Sequence, residues 1–285
     1  MSLIIALAFG AMLCWGVGDF LIQRTERRIG PLETLAWITW FSSIALLPFV
    51  WQSLGTLNGW QIIYLVVIGF LVFIEGLIQF ESYQEGKLSV VEIIITLELP
   101  LTIFLGVVFL HDILSTVQVI LAASLFLGIL FVAVDFRKIN QHHFLEKGAV
   151  LALLSAILLA MTNFVTTIGA KDTSPLLAIW LPWTVCGLIC LAYLIIKKKL
   201  PIFIKTGRHF WPLILSTSLV DTVAWICFVL AVVDGELSVV IAITESFVAV
   251  ALVMGVIFNR EKIRWLQYFG AALALICSIL IALLS

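Results

Sequence analysis

Four carboxylates in this sequence lie deep inside apolar, helix-length runs: Glu75, Glu98, Asp221 and Glu245. On even the gentlest insertion scale a charged carboxylate at bilayer depth costs about 3 kcal/mol, so such a residue calls for a reason. Two chemistries are open to these groups: binding a cationic substrate group, or carrying protons. The alternative is that one or two of them are neutral and hydrogen-bonded between helices. The four are also related by repetition. The stretch from Gly86 to Asp112, GKLSVVEIIITLELPLTIFLGVVFLHD, recurs 149 positions later from Gly235 to Glu261 as GELSVVIAITESFVAVALVMGVIFNRE. The first copy carries Glu98 and the second Glu245. Subtracting the same 149 from 221 gives 72, one helical turn from Glu75.

Other residues could share the chemistry. Trp51, Trp60, Trp211 and Trp265 fall near the ends of apolar runs, where indoles anchor at the membrane interface. Trp15, Trp37, Trp40, Trp180, Trp183 and Trp225 lie deeper, and Trp37/Trp40 and Trp180/Trp183 form i,i+3 pairs at related points. Aromatic faces beside carboxylates suit an ammonium ligand through cation–π attraction, which makes Trp40 and Trp183 candidates against the simpler reading of core packing. Asp19 lies close to Arg24 and is read either as a gate or as half of an ion pair. Pro100 removes a backbone hydrogen bond, so it either frees a carbonyl near Thr96 beside Glu98 or kinks the helix for packing, and Pro182 carries the same two readings. Glu81 and Glu85 read as interfacial, Glu92 as interface or cavity mouth, and Asp112 and Glu261, at helix ends, as serving capping or topology. The five cysteines fall inside apolar runs without metal or disulfide spacing and read as small packing residues. His142-His143 reads as solvated, so no metal site is expected.

The elements that must position these residues follow from composition. The chain has 285 residues, is 63% hydrophobic and only 12% charged, with a mean hydropathy of +1.20. A soluble domain is about half apolar and a quarter charged, so this is an integral membrane protein. A spanning helix takes about 20 apolar residues. That length predicts ten spans at 3–22, 34–52, 61–82, 88–110, 114–134, 148–168, 175–196, 211–232, 237–258 and 264–284. The loops after even-numbered spans keep only Lys171 of the 16 Lys and Arg residues; every other one follows an odd-numbered span. The positive-inside rule then makes the odd loops cytoplasmic and both termini extracytoplasmic. The segment 1–22 lacks a basic leader and a small-residue cleavage site, and is kept as the first span.

The repeat reaches beyond the opening stretch. Gly18-Asp19-Phe20 with Pro31-Leu32 recurs at Thr162-Asn163-Phe164 with Pro175-Leu176, an offset of 144. The expected division is a first five-helix repeat at 1–135, a cytoplasmic linker at 136–147 and a second repeat at 148–285. Five spans per half is odd, so the second half would lie upside down relative to the first. Such an inverted-topology repeat places a binding site at the repeat interface near the midplane and alternates access to it.

At this point the chain resembles the drug/metabolite transporter (DMT) superfamily, and specifically its EamA-type members. The matching residues are Trp15-Gly16 with Gly18-Asp19-Phe20, Thr162-Asn163-Phe164, Leu99-Pro100 with Gly106 and Leu110-His111-Asp112, and Gly255 with Asn259-Arg260-Glu261. Asp19 stands where that family usually has Asn. The resemblance implies ten helices in two repeats, adds Asn163 to the candidate site, and implies a substrate among amino acids, amines, nucleotide sugars or drugs.

No Gly-rich phosphate loop, Ser/His/Asp arrangement or His/Glu metal spacing occurs, so neither an enzyme nor a cofactor is expected. The leading expectation is a secondary active transporter in the plasma membrane, moving a small amine-bearing or cationic metabolite, with protons as the candidate coupling ion. Its partners are then the substrate and the bilayer, not nucleic acid, and both monomer and homodimer stay open. The alternatives are flippase-like handling of a lipid-linked head group and a non-transporting membrane scaffold.

Overall fold

The computed structural model describes residues 3–85, 94–95, 97–133, 147–247, 249–250 and 265–284, and they contain no strand. Among the described residues eleven α-helices run in order: α1 Leu3–Ile29, α2 Pro31–Val50, α3 Gly59–Glu85, α4 Glu98–Phe109, α5 Thr116–Ala133, α6 Lys147–Asp172, α7 Pro175–Ile196, α8 Leu200–His209, α9 Trp211–Asp234, α10 Leu237–Thr244 and α11 Trp265–Leu284. Six of them (α1, α2, α3, α6, α7 and α9) are long and apolar enough to cross a membrane. The outward faces remain apolar, with Ile44, Phe49, Val67, Phe104 and Ile120 exposed, as lipid-facing residues must be. This is a multi-pass membrane protein.

Proline and glycine set several boundaries. Pro31 and Pro175 occupy the first turns of α2 and α7, where a missing N–H costs nothing. Gly30, at φ 96, supplies the left-handed backbone that reverses the chain between α1 and α2.

Four helices of the first half each pack most heavily on one of the second: α1 on α9, α2 on α7, α3 on α6 and α5 on α11, while α4 packs equally on α6 and α10. Small residues permit the close approaches. A Cβ on Gly69 of α3 would stand 2.6 Å from Val185 Cβ of α7, and one on Gly128 of α5 would stand 2.8 Å from the Gly270 carbonyl oxygen of α11. Helices α2 and α7 exchange reciprocal bonds: Trp40 Nε1 donates to the Gly187 carbonyl (3.1 Å) and Trp180 Nε1 to the Ser43 carbonyl (2.8 Å). The two acceptors are 144 residues apart, the offset of the repeat in this part of the chain. Hydroxyl pairs add Thr25 to Thr217 (2.8 Å) and Ser42 to Thr222 (2.6 Å), tying α1 and α2 to α9.

The structure departs from the expected spans in three ways. First, the stretch between the expected spans 175–196 and 211–232 is not merely a loop. Helix α8 lies there, with Phe203 stacked on Trp37 (centroids 4.6 Å apart, planes at 18°) and Gly207 packed directly on the same indole. Its polar face carries Lys205 and Arg208. At ten residues, this helix is too short to register as an apolar span. Second, the fourth and ninth spans are not unbroken helices. The Leu97 N–H reaches back three residues to the Ile94 carbonyl (3.1 Å), and the Ser246 N–H does the same to Ile243 (3.2 Å). Adding 149 to 94 and 97 gives 243 and 246, so both halves tighten at the same repeat position. Third, Pro100 sits in the first turn of α4 after that break rather than kinking a continuous helix. Thr96, Glu92, Glu261 and His142-His143 lie outside the described residues, as does the 255–261 ending of the second repeat stretch.

Asp112 does cap a helix, but one in the opposite half. Its Oδ2 accepts the Ser238 N–H at the start of α10 (2.7 Å), while Glu236 Oε1 accepts the Ile113 N–H (3.3 Å). Gly106 makes room for this joint, since a Cβ there would lie 2.5 Å from Ser238 Oγ and 2.6 Å from Asp112 Oδ2.

Candidate functional site

Three i,i+4 pairs, each on one face of its helix, point at a common space. They are Trp15 and Asp19 on α1, Glu75 and Gln79 on α3, and Asp221 and Trp225 on α9. Glu98 joins them as the first residue of α4, and Glu245 as the first residue beyond α10, each next to a tightened turn. Both carboxylates therefore sit where the backbone leaves regular helix, which helps bring them to a cavity instead of a packed seam. Asn163 from α6 and Trp183 from α7 complete the polar and aromatic lining.

The cavity is partly open and has a volume of about 140 Å³. An engineered cavity of about 150 Å³ holds benzene, so the space suits a small molecule or one group of a larger one. Among the described residues, five of those lining it are carboxylates and none is Lys or Arg. Glu75 lies within electrostatic reach of both Glu98 and Asp221.

The aromatic wall is a connected cluster. Trp225 meets Trp15 edge-on at 5.4 Å (87°) and Trp183 at 6.0 Å (86°), with Phe228 packed behind at 5.7 Å. Interlocked rings of this kind hold fixed orientations, so their faces and edges are presented reproducibly.

Hydrogen bonding is uneven. Asn163 Nδ2 donates to Glu98 Oε1 at 2.5 Å, linking α6 to α4. Among the described residues, Asn163 Oδ1 and Glu75 Oε1 have no partner, although their residues are only 4% and 6% exposed. A buried acceptor left unmade is costly, and two of them belong to residues lining this one cavity.

The cavity thus gathers Glu75, Glu98, Asp221, Glu245, Asn163, Trp183 and Asp19. It does not include Trp40, whose indole is committed to the α2–α7 joint. The i,i+3 spacing that paired Trp37 with Trp40 reports position along a helix, and both indoles are used in packing. Arg24 lies over the Phe20 ring, 4.5 Å from its centroid. Trp15, Trp225 and Gln79 were the residues passed over. Their signal was present, because each stands four positions from a carboxylate already singled out.

A bundle of membrane-length apolar helices around a polar cavity defines a polytopic membrane protein. The sequence profile of the EamA-like transporter family matches residues 2–134 and again 146–283. The chain belongs to that family, whose members are membrane transporters of small molecules rather than enzymes. None of the curated proteins matches it in sequence. A solved crystal structure superposes on it with a TM-score of 0.77, covering 99% of this chain and 96% of that one at 10% identity, a likeness of fold alone.

Proposed function

We propose that this protein is a secondary active transporter that moves a small amine-bearing or cationic metabolite by alternating access. The observation that carries this reading is the charge of the cavity: carboxylates from five helices or helix ends converge on it, and among the described residues no cation lines it. An anion entering that space would meet repulsion, whereas a cation would meet attraction strengthened by low dielectric. The indole cluster adds a surface on which an ammonium can rest. Tightened turns beside Glu98 and Glu245 support alternating access, because broken helices at the midplane are a recurring device of transporters built from inverted repeats. On this reading the halves 1–135 and 148–285 are the two repeats, the basic loops and α8 face the cytoplasm across the plasma membrane, and both termini lie outside. The acids that attract the substrate would also carry the coupling protons.

The test is counterflow in proteoliposomes with a panel divided by charge: amines and basic amino acids, zwitterions, and carboxylic acids. Exchange confined to the cationic members is the expected result. Exchange confined to the anions would overturn the reading.

A further inference from the structure

The two unpartnered acceptors say more about the ligand than its charge. Charge attraction and the indole faces would serve any cation, including a quaternary ammonium, which offers no hydrogen to donate. Asn163 Oδ1 and Glu75 Oε1 require a donor, and no described residue supplies one. Asn163 cannot turn its amide to satisfy itself, because its Nδ2 is engaged by Glu98. Rotation would bring two oxygens together at Glu98 and strand the amide nitrogen instead. Both acceptors belong to residues that line the cavity, on α6 and α3.

We propose that the site recognises an N–H-bearing ammonium, primary or secondary, by donation to Asn163 Oδ1 and Glu75 Oε1, and discriminates against quaternary ammonium compounds. This rests on the cationic-substrate reading above and narrows it. A primary ammonium has three donors and a secondary one has two, enough for both acceptors. A tertiary ammonium has one and must leave an acceptor bare, and a quaternary one leaves both bare. A site built around hydrogen bonds rejects analogues lacking them far more sharply than an apolar pocket rejects an extra methyl. Discrimination should therefore come as a step after the second substituent, while a purely steric sieve would decline evenly with each methyl.

The experiment measures binding of ethanolamine, N-methylethanolamine, N,N-dimethylethanolamine and choline to the purified full chain by quenching of tryptophan fluorescence, since Trp15, Trp183 and Trp225 line the cavity. The expected result is similar affinity for the first two and a fall of roughly tenfold or more by choline, beginning at the dimethyl compound. In Asn163→Leu, which keeps most of the volume and removes the acceptor, the step should shrink, with elution as a single folded species as the control. Choline binding as tightly as ethanolamine, an even decline along the series, or an undiminished step in Asn163→Leu would each overturn the inference while leaving a cation site standing. Silence across the series overturns it as well. If glycolate bound where all four ammonium compounds failed, the cationic reading would fall too.

Discussion

Asn163 Nδ2 donates to Glu98 Oε1 across 2.5 Å, joining a helix of the second half to the first residue of a helix in the first. The bond crosses the interface between the halves and fixes the orientation of the least exposed of the cavity's carboxylates. Asn163→Asp keeps the shape but replaces the donor with an acceptor, setting two carboxylates against each other in a buried place. Substrate affinity is expected to fall by roughly tenfold or more, as for other broken bonds to a buried charged group. Isothermal titration with the best ligand from the charge panel checks this, and an unchanged affinity would contradict the role given to the bond.

Trp225 touches both Trp15 and Trp183 and stands one turn from Asp221. Removing its ring by Trp225→Leu takes away one cation–π face and loosens the other two indoles. A contribution of about 0.5–2 kcal/mol corresponds to a loss of roughly two- to thirtyfold in affinity for a cationic ligand. Binding measured at fixed ionic strength checks it, and Trp40→Phe serves as a contrast: its cost should appear in thermal stability, since its indole bonds Gly187 outside the cavity.

Asp112 holds the start of α10 through the Ser238 N–H at 2.7 Å. Asp112→Ala should therefore lower stability by about 1 kcal/mol, as removal of an N-cap acceptor commonly does. The midpoint of thermal unfolding in detergent should drop while affinity for substrate changes little, because Asp112 is not among the residues lining the cavity.

Gly69 faces Val185 at a distance no side chain tolerates, 2.6 Å from a built Cβ to the valine Cβ. Gly69→Val must push α3 from α7 and should cost about 1–3 kcal/mol by overpacking. Gly59, whose built Cβ meets nothing within 4 Å, is the control, and Gly59→Ala should leave the unfolding midpoint nearly unchanged.

Much of this architecture was legible because lipid imposes a simple rule: a run of apolar residues long enough to cross must be a helix. The seventh expected span, 175–196, coincides with α7, since prolines and lysines punctuate its two ends. The first does not: α1 continues seven residues past 22, through Arg24, Arg27 and Arg28, because a helix that has left the apolar layer still satisfies its own backbone in water. The breaks at Leu97 and Ser246 were hidden, for their side chains say nothing of a three-residue bond, and only the first has a proline nearby. Repetition placed the carboxylates on matching helices, yet spacing alone could not separate Trp183, which lines the cavity, from Trp40, which does not. That choice depends on how α2 is rotated against α7.

The central claim is that buried carboxylates draw a cation through this cavity. Solid-supported membrane electrophysiology on proteoliposomes tests it most directly, comparing the protein with a Glu98→Gln/Glu245→Gln double variant across a pH series. Protonated carboxylates are neutral and attract no cation, so the substrate-dependent current should weaken as the pH on the binding side falls. The account predicts that current in the protein and its loss in the folded double variant. A substrate-dependent current of the same size and pH dependence in the double variant would contradict the account.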